Sequence, residues 1–193
     1  MIKKIVKDTL ALVAIALVAV VCLAVVYALT KQPIAAAEQN EKIAAYREVC
    51  SGAESFEDFE VATKISTDGN IKINEVQIAK NEGGETVGYV LLITTNQGYG
   101  GDIKLSMGVL ADGSVAGVKV ISMNETPGLG AKCTDESWIS QFKGINAEKV
   151  EYTKDGKVRD NEIDAISGAT YTTEAVVGAV NFGLEVMKGV SAK

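Results

Sequence analysis

The sequence predicts an α+β protein. One N-terminal transmembrane helix is followed by one mixed α/β domain, with a largely antiparallel sheet packed by helices. Three observations predict this. Leu10 to Leu29 is an unbroken apolar run of twenty residues, LALVAIALVAVVCLAVVYAL, long enough to cross the hydrocarbon core of a bilayer as a helix. Residues 71–121 hold β-rich runs punctuated by Gly, Asn and Asp turns. The chain then ends in an apolar-periodic run that reads as a helix from about Thr172 to Lys188.

The divisions follow from the same signals. Residues 1–9 are basic through Lys3, Lys4 and Lys7 and are expected in the cytoplasm, because cations beside a span stay inside. Residues 10–30 are the span. Ala35-Ala36-Ala37 offers a small-residue cleavage site, but the apolar run is longer than a signal peptide's core, so a retained anchor is expected. Residues 31–60 read as a helical stalk and linker, with Ile43, Tyr46 and Val49 at spacings of three. Phe56 and Phe59 are the large apolar residues of its acidic end and are expected to pack onto the domain. Residues 61–193 form the domain, outside the cytoplasm.

Within the domain, Ile71–Ile73 and Val76–Ile78 alternate as strands do, and Asn81–Gly84 is a turn. Thr86 to Thr95 is almost continuously apolar, the mark of a strand covered on both faces. Gln97-Gly98-Tyr99-Gly100-Gly101 interrupts it. Ile103–Leu110 and Val115–Ile121 pair about a hairpin turn at Asp112-Gly113. A helix is expected around Trp138 and Phe142, which share one face and read as core. A short strand at Glu148–Tyr152, a turn at Asp155-Gly156 and Val158–Ile166 complete the chain before the last helix. That helix buries Val176, Val177, Val180, Leu184 and Met187, with Gly178 and Gly183 permitting close packing on the sheet.

Composition removes several function classes. The chain is acidic, net −6, and its first 31 residues are basic, so the remainder is more acidic still. A nucleic-acid partner is not expected, since phosphate binding needs a basic surface. With no His, Ser-His-Asp catalysis and His-ligated metals are excluded. The three cysteines, Cys22, Cys50 and Cys133, show no CxxC spacing, so no iron–sulfur or zinc site is expected. Their spacing neither requires nor excludes a Cys50–Cys133 disulfide.

Two short stretches carry chemistry. The first is Asp164-Ala165-Ile166-Ser167-Gly168-Ala169-Thr170, directly before the last helix. Gly168 and Ala169 strip the backbone of bulk, and Thr170 stands where free N–H groups and the positive helix end favour a phosphate. A simple capping turn would also use Ser and Thr here, with Thr172 or Thr173 as cap. The second is Glu125-Thr126-Pro127-Gly128-Leu129-Gly130-Ala131. Pro127 fixes one φ, and Gly128 and Gly130 open conformations closed to other residues, so the loop backbone can approach a flat ligand.

Asp-x-x-Ser-Gly-Ala-Thr resembles the flavinylation motif of the FMN-binding domain family. That domain occurs in the G subunit of Rnf-type electron transport complexes and in the C subunit of the sodium-pumping NADH:quinone oxidoreductase. Glu-Thr-Pro-Gly-Leu-Gly resembles the family's second hallmark, a loop near the flavin ring. The resemblance covers roughly residues 85–190. It implies FMN bound covalently by a phosphoester to Thr170, framed by Asp164, Ser167, Gly168 and Ala169. It also implies that Glu125, Thr126, Gly128, Leu129 and Gly130 shape the ring's surroundings, with Glu125 read as a brace for the loop. No catalytic residue and no metal ligand is assigned.

The implied function is electron transfer between ferredoxin and NAD, coupled to Na+ or H+ translocation, as one relay that is not catalytic alone. The implied partners are the membrane, other subunits of the complex and a flavin transferase for maturation. The short stretch between anchor and domain favours the G-type subunit over the longer C-type. The alternatives are the C-type subunit, the FMN-binding domain of another extracytosolic reductase, and a membrane-anchored binding module without flavin.

Overall fold

The computed structural model describes residues 2–60 and 68–191. The expected domain boundary at residue 61, together with Met1 and residues 192–193, lies outside the described residues. The chain divides into two compact units, Met1–Glu41 and Lys42–Lys193.

The first unit is helical. Helix α1 spans Ile2–Val49, so the apolar run and the stretch beyond it form one continuous helix with Pro33 inside. Its apolar side chains from Leu12 to Leu29 are exposed. By length and composition it can cross a membrane.

The second unit is a five-stranded antiparallel meander in the order β1-β2-β3-β4-β5: Ser55–Asp58, Ile71–Lys80, Thr86–Gly98, Gly101–Leu110 and Val115–Ser122. β3 is central. Val90, Leu91, Leu92 and Ile93 are all buried, which is why its sequence does not alternate. β2 alternates and then slips. A bulge between Ile73 and Glu75 shifts the register, so Ile71, Ile73 and Val76 all reach one core.

That larger core lies beneath α3, Thr170–Ser191. Val176, Val177, Val180, Leu184 and Met187 form its buried stripe. A side chain at Gly183 would stand 2.8 Å from Met107 Sδ and 3.0 Å from Ile93 Cδ1, so this glycine permits the close approach to β3 and β4. Gly178 has only ordinary van der Waals neighbours, and packing does not require a glycine there.

The opposite face carries a smaller core of Tyr46, Val49, Cys50, Ala53, Ala79, Val90 and Leu92. Residues 42–59, which the sequence assigns to the linker, supply much of it. Lys42 pairs with Glu75 at 3.1 Å, and the Tyr46 hydroxyl donates to the same carboxylate. Phe56 packs edge-on against Tyr46, and Phe59 against Tyr89. Cys50 belongs to this core and Cys133 to the other, so the sheet separates them and both thiols are free.

After β5 the expected helix near Trp138 is short. A 3-10 turn at Gly130–Thr134 precedes α2, Glu136–Ile139, and a second 3-10 turn at Ser140–Phe142 comes after it. Trp138 and Phe142 pack edge to face in the core, as their spacing implies. Two three-residue strands, β6 (Glu151–Thr153) and β7 (Glu162–Asp164), pair in parallel and lead into α3.

Candidate functional site

The turn before α3 is closed by main-chain and Thr173 contacts. Gly168 has φ +77°, a conformation that disfavours a side chain, and the Ala169 N–H donates to the Ile166 carbonyl at 3.0 Å. The Thr173 N–H donates to the Ala169 carbonyl and closes the first helical turn. The Thr173 hydroxyl accepts from the Ile166 N–H and donates to that same carbonyl, both at 3.0 Å. Thr173 therefore does the local bracing. Among the described residues nothing engages the Thr170 hydroxyl, which lies half-buried at the first helical position. No acidic side chain stands in the first turn of α3 to offset its positive end.

Asp164 has a different task. Its carboxylate accepts the Lys157 N–H at 2.6 Å, its N–H donates to Gln141 Oε1 at 2.8 Å, and its carbonyl accepts the Trp138 indole N–H at 2.7 Å. With these groups spent on the chain itself, Asp164 anchors the approach to the turn.

The loop after β5 is organised by Glu125, a buried carboxylate. One oxygen accepts the Gly100 N–H at 3.1 Å and the other accepts the Thr172 hydroxyl at 2.9 Å. Glu125 thereby ties together the β3–β4 hairpin, its own loop and the first turn of α3, as a brace does. The Thr126 carbonyl accepts from the N–H groups of Leu129 and Ala131, which curls the loop back. Gly128 has φ +78° in open space. Gly130 is buried, and a side chain there would stand 2.5 Å from the Thr172 hydroxyl oxygen and closer still to Glu125. Its small size makes room for the brace. The same carboxylate acts on Cys133. Burial first, and the Glu125 charge second, push this thiol up to about 11.

The two loops meet at a cleft of about 420 Å³. Glu125, Thr126, Leu129, Gly130, Gly168, Ala169 and Thr170 line it, bringing together seven of the residues the sequence nominated. Asp164, Ser167 and Gly128 do not line it. Tyr99, Tyr171 and Thr172 do, and the sequence assigned them no part in binding. A signal existed for Tyr99, an aromatic stranded among hairpin glycines, and for Tyr171, which directly follows Thr170.

Residues 98–185 match the FMN-binding domain model, and residues 1–49 match the RnfG N-terminal region. A relative from Methanosarcina acetivorans, the G subunit of an ion-translocating oxidoreductase complex, is 32% identical over 95% of this chain and 94% of its own. The corresponding protein from Vibrio cholerae is 33% identical over 93% and 88%. This chain belongs to the G-subunit family of ion-translocating oxidoreductase complexes.

The G subunit of the Na(+)-translocating ferredoxin:NAD(+) oxidoreductase complex of Acetobacterium woodii is 37% identical, with the match covering 68% of this chain and 63% of that protein. The proton-translocating counterpart in Clostridium ljungdahlii matches over 55% and 57%. The chain thus spans somewhat under two thirds of these two relatives' length. The crystal structure of Shewanella oneidensis NqrC shares the fold, with TM-score 0.51 and 23% identity over 69% of this chain and 66% of that one.

The residues at the cleft fit an FMN. A hydroxyl without a partner among the described residues stands at a helix N-terminus, where a phosphate is favoured. The cleft beside it has the size of a small-molecule site. Its floor holds a buried carboxylate whose oxygens are already occupied by donors from the chain.

Proposed function

We propose that this chain is a membrane-anchored flavoprotein electron carrier that holds FMN through a phosphoester on Thr170. It would serve as the G subunit of an Rnf-type complex that passes electrons between ferredoxin and NAD and moves Na+ or H+. The observation that carries this reading is Thr170, which lines the cleft at the start of α3 with no hydrogen-bond partner for its hydroxyl among the described residues. A bound flavin supplies electron transfer in single or paired steps, joining two-electron donors to one-electron carriers.

The chain's own residues orient and exclude. Thr170 tethers, so a carrier open to solvent keeps its cofactor. The first-turn amides of α3 face the phosphate position with the positive helix end behind them. Leu129 and the Glu125-braced loop wall the ring position. Maturation would need a flavin transferase, as the likeness of residues 164–170 to the flavinylation motif implies.

The test is to express the protein with a flavin transferase and run it on a denaturing gel. A fluorescent band, and a Thr170 peptide heavier by the mass of FMN less one water, are expected. A band without flavin would refute the attachment.

The same reading puts residues 1–9 in the cytoplasm, the span at 10–30 and the domain outside, on the basic flank of the apolar run. Protease added to spheroplasts should digest or release the domain, and full protection would reverse the orientation.

A further inference from the structure

We propose that Tyr99 and Tyr171 form an aromatic clamp that takes the flavin's fused ring between them, with Glu125 setting the gap. This rests on the flavin reading above and adds the residues that hold the ring.

The pair is unlike the other aromatic pairs among the described residues. Tyr46–Phe56, Phe59–Tyr89 and Trp138–Phe142 pack edge to face, with ring centroids 5.5–5.7 Å apart and interplanar angles of 64–80°. Each includes a ring buried in or packed against a core. Tyr99 and Tyr171 are 74% and 67% exposed, with centroids 6.4 Å apart and planes only 38° from parallel. Both rings line one cleft, and neither belongs to either hydrophobic core. A ring stacked between two others needs about 7 Å, two carbon contacts of about 3.5 Å each. The 6.4 Å between centroids is shorter than that and the rings are tilted by 38°, so both exposed side chains must turn to open a parallel slot for the flavin.

The spacing is built into the backbone. Tyr99 directly precedes Gly100, whose N–H binds one Glu125 oxygen, and Tyr171 directly precedes Thr172, whose hydroxyl binds the other. One buried carboxylate therefore fixes both elements that carry the rings. Tyr171 is also the residue after Thr170, so a cofactor tethered there starts beside the clamp.

The experiment uses flavinylated full-length protein and reads flavin fluorescence intensity and lifetime. A phenol stacked on the excited ring quenches it by lending an electron that then returns, and phenylalanine stacks but does not quench. Tyr99→Leu and Tyr171→Leu should each raise fluorescence, with about a fivefold fall in the stacked-to-open ratio for each face removed. Tyr99→Phe and Tyr171→Phe should also raise it, and they report for any position whose Leu variant carries no flavin. Parental intensity and lifetime at either position overturn the clamp. A parent without covalent flavin sinks the attachment alone. Free FMN titrated into Thr170→Ala protein then tests the clamp. Quenching that weakens in the tyrosine variants upholds it, and unquenched FMN overturns it.

Discussion

Gly168 and Gly128 adopt nearly the same left-handed φ, +77° and +78°, in the two loops that meet at the cleft. The chain beyond each glycine is held differently. After Gly168 it enters α3, and its polar groups are satisfied by neighbours in sequence: Ile166, Ala169 and Thr173. After Gly128 the curl is local too, through the Thr126 carbonyl, but the loop as a whole is pinned by Glu125, whose partners, Gly100 and Thr172, are 25 and 47 residues away. One loop is a local turn that leaves a hydroxyl free. The other is a wall held by long-range bonds. A reactive group needs freedom at one atom, whereas a wall needs its backbone fixed from several sides.

The largest effect should come from removing the Thr170 hydroxyl. Thr170→Ala is expected to abolish covalent flavin on a denaturing gel, while circular dichroism and the urea midpoint stay at parental values. Among the described residues the hydroxyl has no hydrogen-bond partner to lose. A Thr170→Ala protein that unfolds would show that the side chain supports the turn after all.

Breaking the wall should cost stability before it costs flavin. Gly130→Val forces a side chain into the Glu125–Thr172 contact and is expected to destabilise by about 1–3 kcal/mol in urea unfolding. It should keep covalent flavin but shift its absorption. Gly128→Ala meets no neighbouring atom and bears only the left-handed backbone penalty, about 1 kcal/mol. Equal effects at the two glycines would remove the distinction between a crowded and a merely strained position.

The long-range character can be measured directly. A double-mutant cycle on Glu125→Gln and Thr172→Val should show coupling of about 1 kcal/mol. Thr173→Val should not couple to Glu125, because its bonds stay within the turn. Additivity at Thr172 would mean the two loops are independent.

The smallest effect appears only in alkali. Burial and the Glu125 charge hold the folded Cys133 thiol at about 11, above its ordinary value of 9.0. The unfolded thiol ionises first, so this contribution to stability is intact below about pH 9 and fades between about pH 9 and 11. Stability measured across that range should fall less steeply in Cys133→Ala. An unchanged slope would show that Cys133 does not titrate as its surroundings imply.

Much of this was legible in the chain. The span, the β-rich runs, the central strand, the Asp112-Gly113 hairpin and the buried stripe of α3 are patterns of period and punctuation, each written within a few residues. The candidate loops were legible for the same reason, since a Gly-Ala-Thr before a helix and a Pro-Gly-x-Gly loop are local strings. The bulge at Asn74, the separation of Cys50 from Cys133 and the work of residues 42–59 in the smaller core were not. They depend on which face of the sheet a residue reaches, and one extra residue in a strand changes that.

Sequence alone therefore marked the apolar helix, the strands from β2 to β5, the last helix and Thr170 at its start, because torsional preference and hydrophobic period act over short distances. Tertiary structure decided that Glu125 is a buried brace, that Gly130 makes room for it, that Asp164 is spent on the chain rather than on the cleft, and that Tyr99 meets Tyr171 at its rim. Each of those facts joins residues more than four positions apart, and a contact of that kind exists only once the sheet has brought its partners together.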